Sequence, residues 1–277
     1  LYGNGANESL IGPLLKPVRQ RIVLASKCGI NHPASGEARR IDGRPASIKA
    51  SCEASLRRLQ TDVIDLFYLH RWDKDVPIED SVGALADLVQ QGKIRTLGLS
   101  EVSAQTLRRA HAVHPIAAVQ TEYSLWTRNP EIAVLQTCAE LGVSFVAFSP
   151  LARAFLTDTL HDPSQLHASD IRRQMPRFDA VHYPQNLALL SGLKRWATAL
   201  NCTPSQLALA WVLQRSPITI AIPGTTKVDH LQENLGAAQV VLTPAVMSAL
   251  EALFAPNAIA GPRYNAINSA EVDTENF

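Results

Sequence analysis

Six short apolar runs punctuate the chain at 21–27, 63–70, 94–100, 116–124, 143–149 and 218–224. Each is rich in β-branched residues, too brief for a buried helix and too continuously apolar for a sheet with one wet face. That pattern predicts parallel strands covered on both sides. Between the runs the apolar period changes to that of a helix. Ile48, Cys52, Leu56 and Leu59 share one helical face, and Ile78, Val82, Leu85 and Val89 share another, with Gly92 placed to stop it. Ser103 can cap a helix carrying Leu107 and Ala110, and Thr203-Pro204-Ser205-Gln206 has the form of a capping box with Pro in the first turn. Strands alternating with helices predict a parallel α/β fold.

The interval from 143 to 218 is too long for one crossover. It predicts a loop over 149–184, an added helix over 186–199 and a regular helix over 204–214, and long loops of this kind usually carry function. Two parallel architectures compete for the strands. A doubly wound nucleotide-binding sheet calls for G-x-G-x-x-G after its first strand, but Gly3-Asn4-Gly5 is followed by Ala6, Asn7 and Glu8. The alternative is a (β/α)8 TIM barrel, usually about 250 residues long. Six strands do not close such a barrel. The expectation is therefore a single barrel domain over 1–277 with about two strands missing ahead of Leu1.

Composition narrows the function. The 277 residues are 46% hydrophobic and 18% charged, which is globular and not disordered. A net charge of +1 provides no basic excess for nucleic acid. No apolar run approaches the roughly 18 residues of a membrane span. Cys28, Cys52, Cys138 and Cys202 are scattered without a CxxC pair, which reads as reduced, intracellular thiols and points to a cytoplasmic protein. No H-x-H or H-E-x-x-H pattern supports a metal site.

In a barrel, chemistry sits at the carboxyl ends of the strands. Those ends are polar here: Lys27, His70, Ser100, Gln120 to Glu122, Ser149 and Gly224-Thr225. Each has an ordinary structural explanation alone, but a Tyr, a Lys and a His at one mouth would form an acid–base system. A free phenol has a pKa of about 10, which a nearby ammonium lowers, and a histidine can hydrogen-bond the same substrate oxygen.

Longer motifs then fall into place. YGNGANE (2–8), LASK (24–27), VIDLFYLHRWD (63–73), GKIRTLGLSEVS (92–103), VQTEYSLW (119–126), FSPLARAFLT (148–157) and IPGTTKVDHLQENLGA (222–237) closely resemble the aldo-keto reductases, in the same order along nearly the whole chain. GLSEVS, SPLARAFLT and GPRY (261–264) look most like the microbial and plant pyridoxal reductase-like branch. The resemblance implies a barrel that binds NADPH and reduces an aldehyde or ketone. Tyr2 then matches the general-acid tyrosine, Lys27 the lysine that lowers its pKa, and His70 the histidine that orients the carbonyl. The family's aspartate, five residues before the tyrosine, has no counterpart in the numbering.

The same resemblance assigns the cofactor contacts. Ser100 and Gln120 match the carboxamide-binding residues, Glu101 stands where many members have Asn, and Phe148 stands where a Tyr commonly stacks on nicotinamide. Ser149, Leu151 and Arg153 should wrap the pyrophosphate, although Ala152 and Ala154 replace the glycines frequent there. Gly224, Thr225, Thr226 and Lys227 mark the 2′-phosphate site at a helix start, and Glu233 and Asn234 the adenine. Trp72 and Trp126 are candidates to line an apolar substrate pocket. Substrate specificity is expected from loops 28–47, 72–77, 126–130 and 150–184 and the tail 255–277. A rival reading keeps the NADP(H) site but makes the chain a regulatory or sensor protein with little turnover. The predicted partner is a small carbonyl compound, with the chain a monomer or homo-oligomer.

Overall fold

The computed structural model describes residues 2–31 and 39–277, with Tyr2 through its backbone alone. These residues form two compact units. The first runs through Gln120 and takes in 133–144 and 271–274; the second holds 121–132, 145–270 and 275–277.

In the first unit a 3-10 turn, Tyr2–Gly5, leads into α1 (Ala6–Leu15). Strand β1 (Ala25–Cys28) is followed by a two-stranded antiparallel ribbon, β2 (Ile30–Asn31) with β3 (Arg40–Ile41), and by α2 (Pro45–Leu59). Then come β4 (Ile64–Leu69), α3 (Ile78–Gln90), β5 (Ile94–Ser100), α4 (Ala104–Val113), β6 (Ala118–Glu122, in this unit as far as Gln120) and α5 (Val134–Leu141). β1 pairs parallel with β4, β4 with β5, and β5 with β6.

The helix faces read from the sequence are the ones that pack. Ile48, Cys52, Leu56 and Leu59 of α2 are buried, as are Ile78, Val82 and Leu85 of α3. The last buried position of the α3 stripe is Leu88 rather than the half-buried Val89, because the face continues from Leu85 by the three-residue helical step. Gly92 follows with a left-handed φ of 71°. Ser103 caps α4 by accepting from the Thr106 N–H. Gly98 in β5 makes room for Tyr68, since a Cβ there would lie 2.6 Å from the Tyr68 ring.

The second unit contains β7 (Ser144–Phe148, in this unit from Phe145), α6 (Tyr183–Ala199), α7 (Pro204–Arg215), β8 (Thr219–Ile222), α8 (Val228–Gly236), α9 (Pro244–Leu253) and α10 (Ala266–Ala270). β7 and β8 are parallel, with Phe148 opposite Ile222. The capping box at Thr203 forms with both of its bonds. Its core is aromatic: Tyr123 meets Phe145 edge-on at 5.7 Å and tilts against Trp211 at 5.3 Å.

Strand coverage departs from the expectation at two places. β6 is buried at all five positions, but β8 leaves Ile220 and Ile222 exposed, and β1 has one fully buried residue out of four. Among the described residues, β1 is seen to pair only with β4 and β8 only with β7, so each has one covered edge. Strand β1 also starts at Ala25 rather than residue 21, because Lys16–Arg21 coils as a 3-10 helix. Among the described residues no helix is long and apolar enough to cross a membrane.

Candidate active site

Parallel pairing brings four strand ends of the first unit together. Lys27 lies opposite Tyr68 in register, and its Nζ stands 6.0 Å from the Tyr68 ring centre. His70 follows β4 directly, and its backbone N–H donates to the Cys28 carbonyl at 2.9 Å. Ser100 ends β5 opposite Gln120 of β6. Arg71 joins the middle of the group, its Nη1 donating to the His70 carbonyl at 2.7 Å and to Ser100 Oγ at 3.4 Å. Lys27 next to the end of β1, His70 just past β4, Ser100 at the end of β5 and Gln120 in the middle of β6 thus lie on successive strands. The side chain of Tyr2 lies outside the described residues, but its turn does not. Asn4 and Gly5 line a cavity of about 380 Å³ together with Lys27 and His70. The lining does not extend to Ser100 or Gln120.

Electrostatics in this cavity favour neutral imidazole. Burial, reinforced by the charges of Arg71 and Lys27, pushes the His70 pKa down to about 2. Burial likewise pushes Tyr68 up to about 12, against a smaller opposing effect from its hydrogen bond to Gln120. Across the cavity Glu8 accepts from Ser26 Oγ, and Arg58 Nε donates to it at 2.7 Å. No pattern in the sequence singled out the roles of Glu8, Arg58 and Arg71, because the side chains they meet (Ser26, Arg58 and Glu8, Ser100) lie on other elements. Cys28 and Cys52 are buried free thiols, and burial pushes Cys52 up to about 11. Among the described residues no group of three His, Cys, Asp or Glu side chains is placed to hold a metal.

Trp72 stands in the loop after β4. Its indole N–H donates to the Val76 carbonyl at 2.9 Å, and the Arg109 guanidinium lies 5.7 Å from its ring.

The second unit holds the remaining candidates. Phe148 ends β7 half-buried. The segment after it is left-handed at Ser149 (φ 49°), Ala152 (50°), Arg153 (54°) and Ala154 (74°). The two alanines that replace frequent glycines therefore occupy conformations that glycine adopts freely. Arg153 is heavily committed: Nη1 and Nη2 donate to the two carboxylate oxygens of Glu122 at 2.7 and 2.8 Å. Arg263 Nε (3.0 Å) and Tyr264 OH (3.2 Å) also donate to Glu122. Burial would raise the Glu122 carboxyl, but the charges of Arg153, Arg263 and Arg177 hold it well below the usual carboxylate range. The same buried setting pushes Arg177 down to about 10. GPRY is thus anchored through its Arg and Tyr, and Leu151 beside the cluster is half-buried.

After β8, Gly224, Thr225, Thr226 and Lys227 are exposed. Lys227 begins α8 with no side-chain cap bond, and its N–H donates to Thr225 Oγ1 at 3.1 Å. The first N–H groups of α8 are consequently open to an anion. Glu233 and Asn234 lie half-buried on the same helix. Trp126 is 3% exposed, stacked on Phe155 at 4.0 Å and met edge-on by Phe178 at 5.2 Å. Its ring packs as core of this unit.

A parallel α/β protein with Lys and His at adjacent strand ends, and an open helix start after its last strand, has the elements of a barrel oxidoreductase. The profile of the Aldo/keto reductase family matches residues 1–255, and the chain belongs to that family and its (β/α)8-barrel class. It is 45% identical to an aldo-keto reductase of Strobilurus tenacellus, over 99% of this chain and 81% of that one. Among solved structures it is similar to a glycerol dehydrogenase from Gluconobacter oxydans (28% identity, TM-score 0.85, 94% of this chain and 80% of that one). It is also similar to an aldo/keto reductase from Klebsiella pneumoniae in complex with NADP and acetate (29% identity, TM-score 0.70, 99% and 81%).

Proposed function

We propose that the chain reduces an aldehyde or ketone to the alcohol with NADPH, with Tyr2 as general acid and with Lys27 and His70 assisting. The observation that carries this reading is the pairing of Lys27 and His70 at neighbouring strand ends on one cavity, which the turn of Tyr2 also lines through Asn4 and Gly5. The residues fit a dinucleotide. Left-handed turns such as 149–154 are the backbone form from which anion-binding concavities are built, and α8 starts without a side-chain cap.

When bound, NADPH supplies the hydride that goes to the carbonyl carbon. Tyr2 gives a proton to the carbonyl oxygen as it becomes hydroxyl, and Lys27 favours the phenolate left behind. His70, neutral because it is buried among cations, serves as a hydrogen-bonding group that orients that oxygen and does not deliver the proton. Ser100 and Gln120 hold the carboxamide and Phe148 stacks on the nicotinamide. Ser149, Leu151 and Arg153 hold the pyrophosphate, with two donors of Arg153 already given to Glu122. Gly224, Thr225, Thr226 and Lys227 take the 2′-phosphate, Glu233 and Asn234 the adenine, and Trp72 shapes the substrate side, while Trp126, packed on Phe155 and Phe178, serves the core of its unit. The reading of 1–277 as a single domain draws its support from the family match, which covers residues 1–255.

Tyr2→Phe tests the chemistry. NADPH consumption with a panel of aldehydes should disappear while NADPH binding, followed by fluorescence, stays near the wild-type value. Wild-type turnover in that variant refutes Tyr2 as the acid. A wild-type protein that binds NADPH but consumes none would make the chain a sensor.

A further inference from the structure

The tail returns to the first unit at residues 271–274, although the residues on either side of it belong to the second. Three successive residues grip three separate loops. Glu271 pairs with Arg39. The Val272 carbonyl accepts from Lys74 Nζ at 3.1 Å. Asp273 Oδ2 accepts from the Ser103 N–H at 3.1 Å and from Ser103 Oγ at 2.9 Å, and the Asp273 N–H donates to the Glu101 carbonyl at 3.0 Å.

One of the residues it grips is unusual. Glu101 is 1% exposed and left-handed, with a φ of 58°. A residue with a Cβ stays in that conformation only where its surroundings over-determine it. Two backbone bonds do so: its N–H donates to the Gln120 carbonyl at 3.0 Å, and its carbonyl accepts from Asp273. Two residues further on, at Ser103, the Asp273 carboxylate sits over the start of α4, where a negative charge complements the helix dipole. Ser100 immediately precedes this turn, and Gln120 is tied to it.

We infer that Asp273 is a positioning residue for the cofactor: through Glu101 and Ser103 it fixes the turn that aims Ser100 and Gln120. This rests on the reading of Ser100 and Gln120 as the carboxamide-binding pair. The tail and the dinucleotide are then coupled, so each tightens the other.

The test uses the full chain. Asp273→Ala should weaken NADPH binding about tenfold, the scale of losing hydrogen bonds to a charged group. It should raise KM for NADPH with little change in kcat, and it should speed amide exchange at 101–106 in the cofactor-free protein. Asp273→Asn, which keeps an acceptor oxygen, should recover most of the affinity. Ser100→Ala should weaken binding too, and the double variant should lose less than the product of the two. In the wild type, adding NADPH should slow exchange of the Asp273 amide, a measurement that needs no variant to fold. Asp273→Ala binding NADPH within about twofold of wild type, or an Asp273 amide indifferent to NADPH, while Ser100→Ala still weakens binding, overturns the inference alone. Ser100→Ala without effect overturns the site reading and the inference with it.

Discussion

The depressed pKa of His70 predicts a particular pH dependence of stability. In the unfolded chain this imidazole takes a proton below its ordinary value of 6.5, whereas in the folded protein burial among Arg71 and Lys27 keeps it neutral down to about 2. Unfolding therefore takes up a proton at mildly acid pH. The contribution of His70 is fully present above 6.5 and is lost as the pH falls below it. Linkage at one proton gives a loss of about 1.4 kcal/mol between about pH 7.5 and about pH 5.5. Carboxylates contribute little to the difference between the wild type and a His70 variant in that window, because they are the same in both and an unfolded carboxylate titrates at about 4. Urea unfolding of the wild type and of His70→Gln at the two pH values isolates the effect. The variant starts from a different stability, but only the slope matters. The wild type should lose about 1.4 kcal/mol more than the variant over the interval. Parallel losses would refute the reasoning, since they would mean that folded His70 accepts a proton near its ordinary value and is not sealed from water.

Ala154→Gly should stabilise the protein by about 1 kcal/mol, because φ is 74° and the Cβ is the source of the strain. A urea midpoint that stays put or falls would show that the turn is unstrained. Ala152→Gly should gain less, since Ala152 is 1% exposed and its methyl fills core. Arg153→Met should cost about 3 kcal/mol, the scale of leaving a buried carboxylate short of its main counter-charge. A loss below about 1 kcal/mol in the same urea experiment would mean that Arg263 and Tyr264 suffice for Glu122.

What the sequence displayed and what it concealed divide by range along the chain. Ser103 and Thr203 were readable as caps because a cap acts within one helical turn. Lys27, His70 and Ser100 were readable because each ends a short apolar run, and Gln120 because it is a polar residue within one; parallel pairing of such runs sets them side by side. The ribbon of β2 and β3 was not readable, since two-residue strands are too short to show a period. Glu122 with Arg263 and Ser103 with Asp273 were hidden for a different reason. Their partners are separated by 141 and 170 residues, and no local pattern encodes such a bond. The motif resemblance marked Ala152 and Ala154 as departures, but only the backbone shows that both sit at positive φ. The two classes of residue also differ in what they do. The strand-end residues carry the proposed chemistry, while the long-range contacts hold loops: Glu122 the GPRY segment, Asp273 the turn after Ser100. Substitutions that change cofactor affinity without touching the cofactor should therefore gather at the second class. Such positions have to be found from structure, because their effect passes through backbone held by a partner far along the chain.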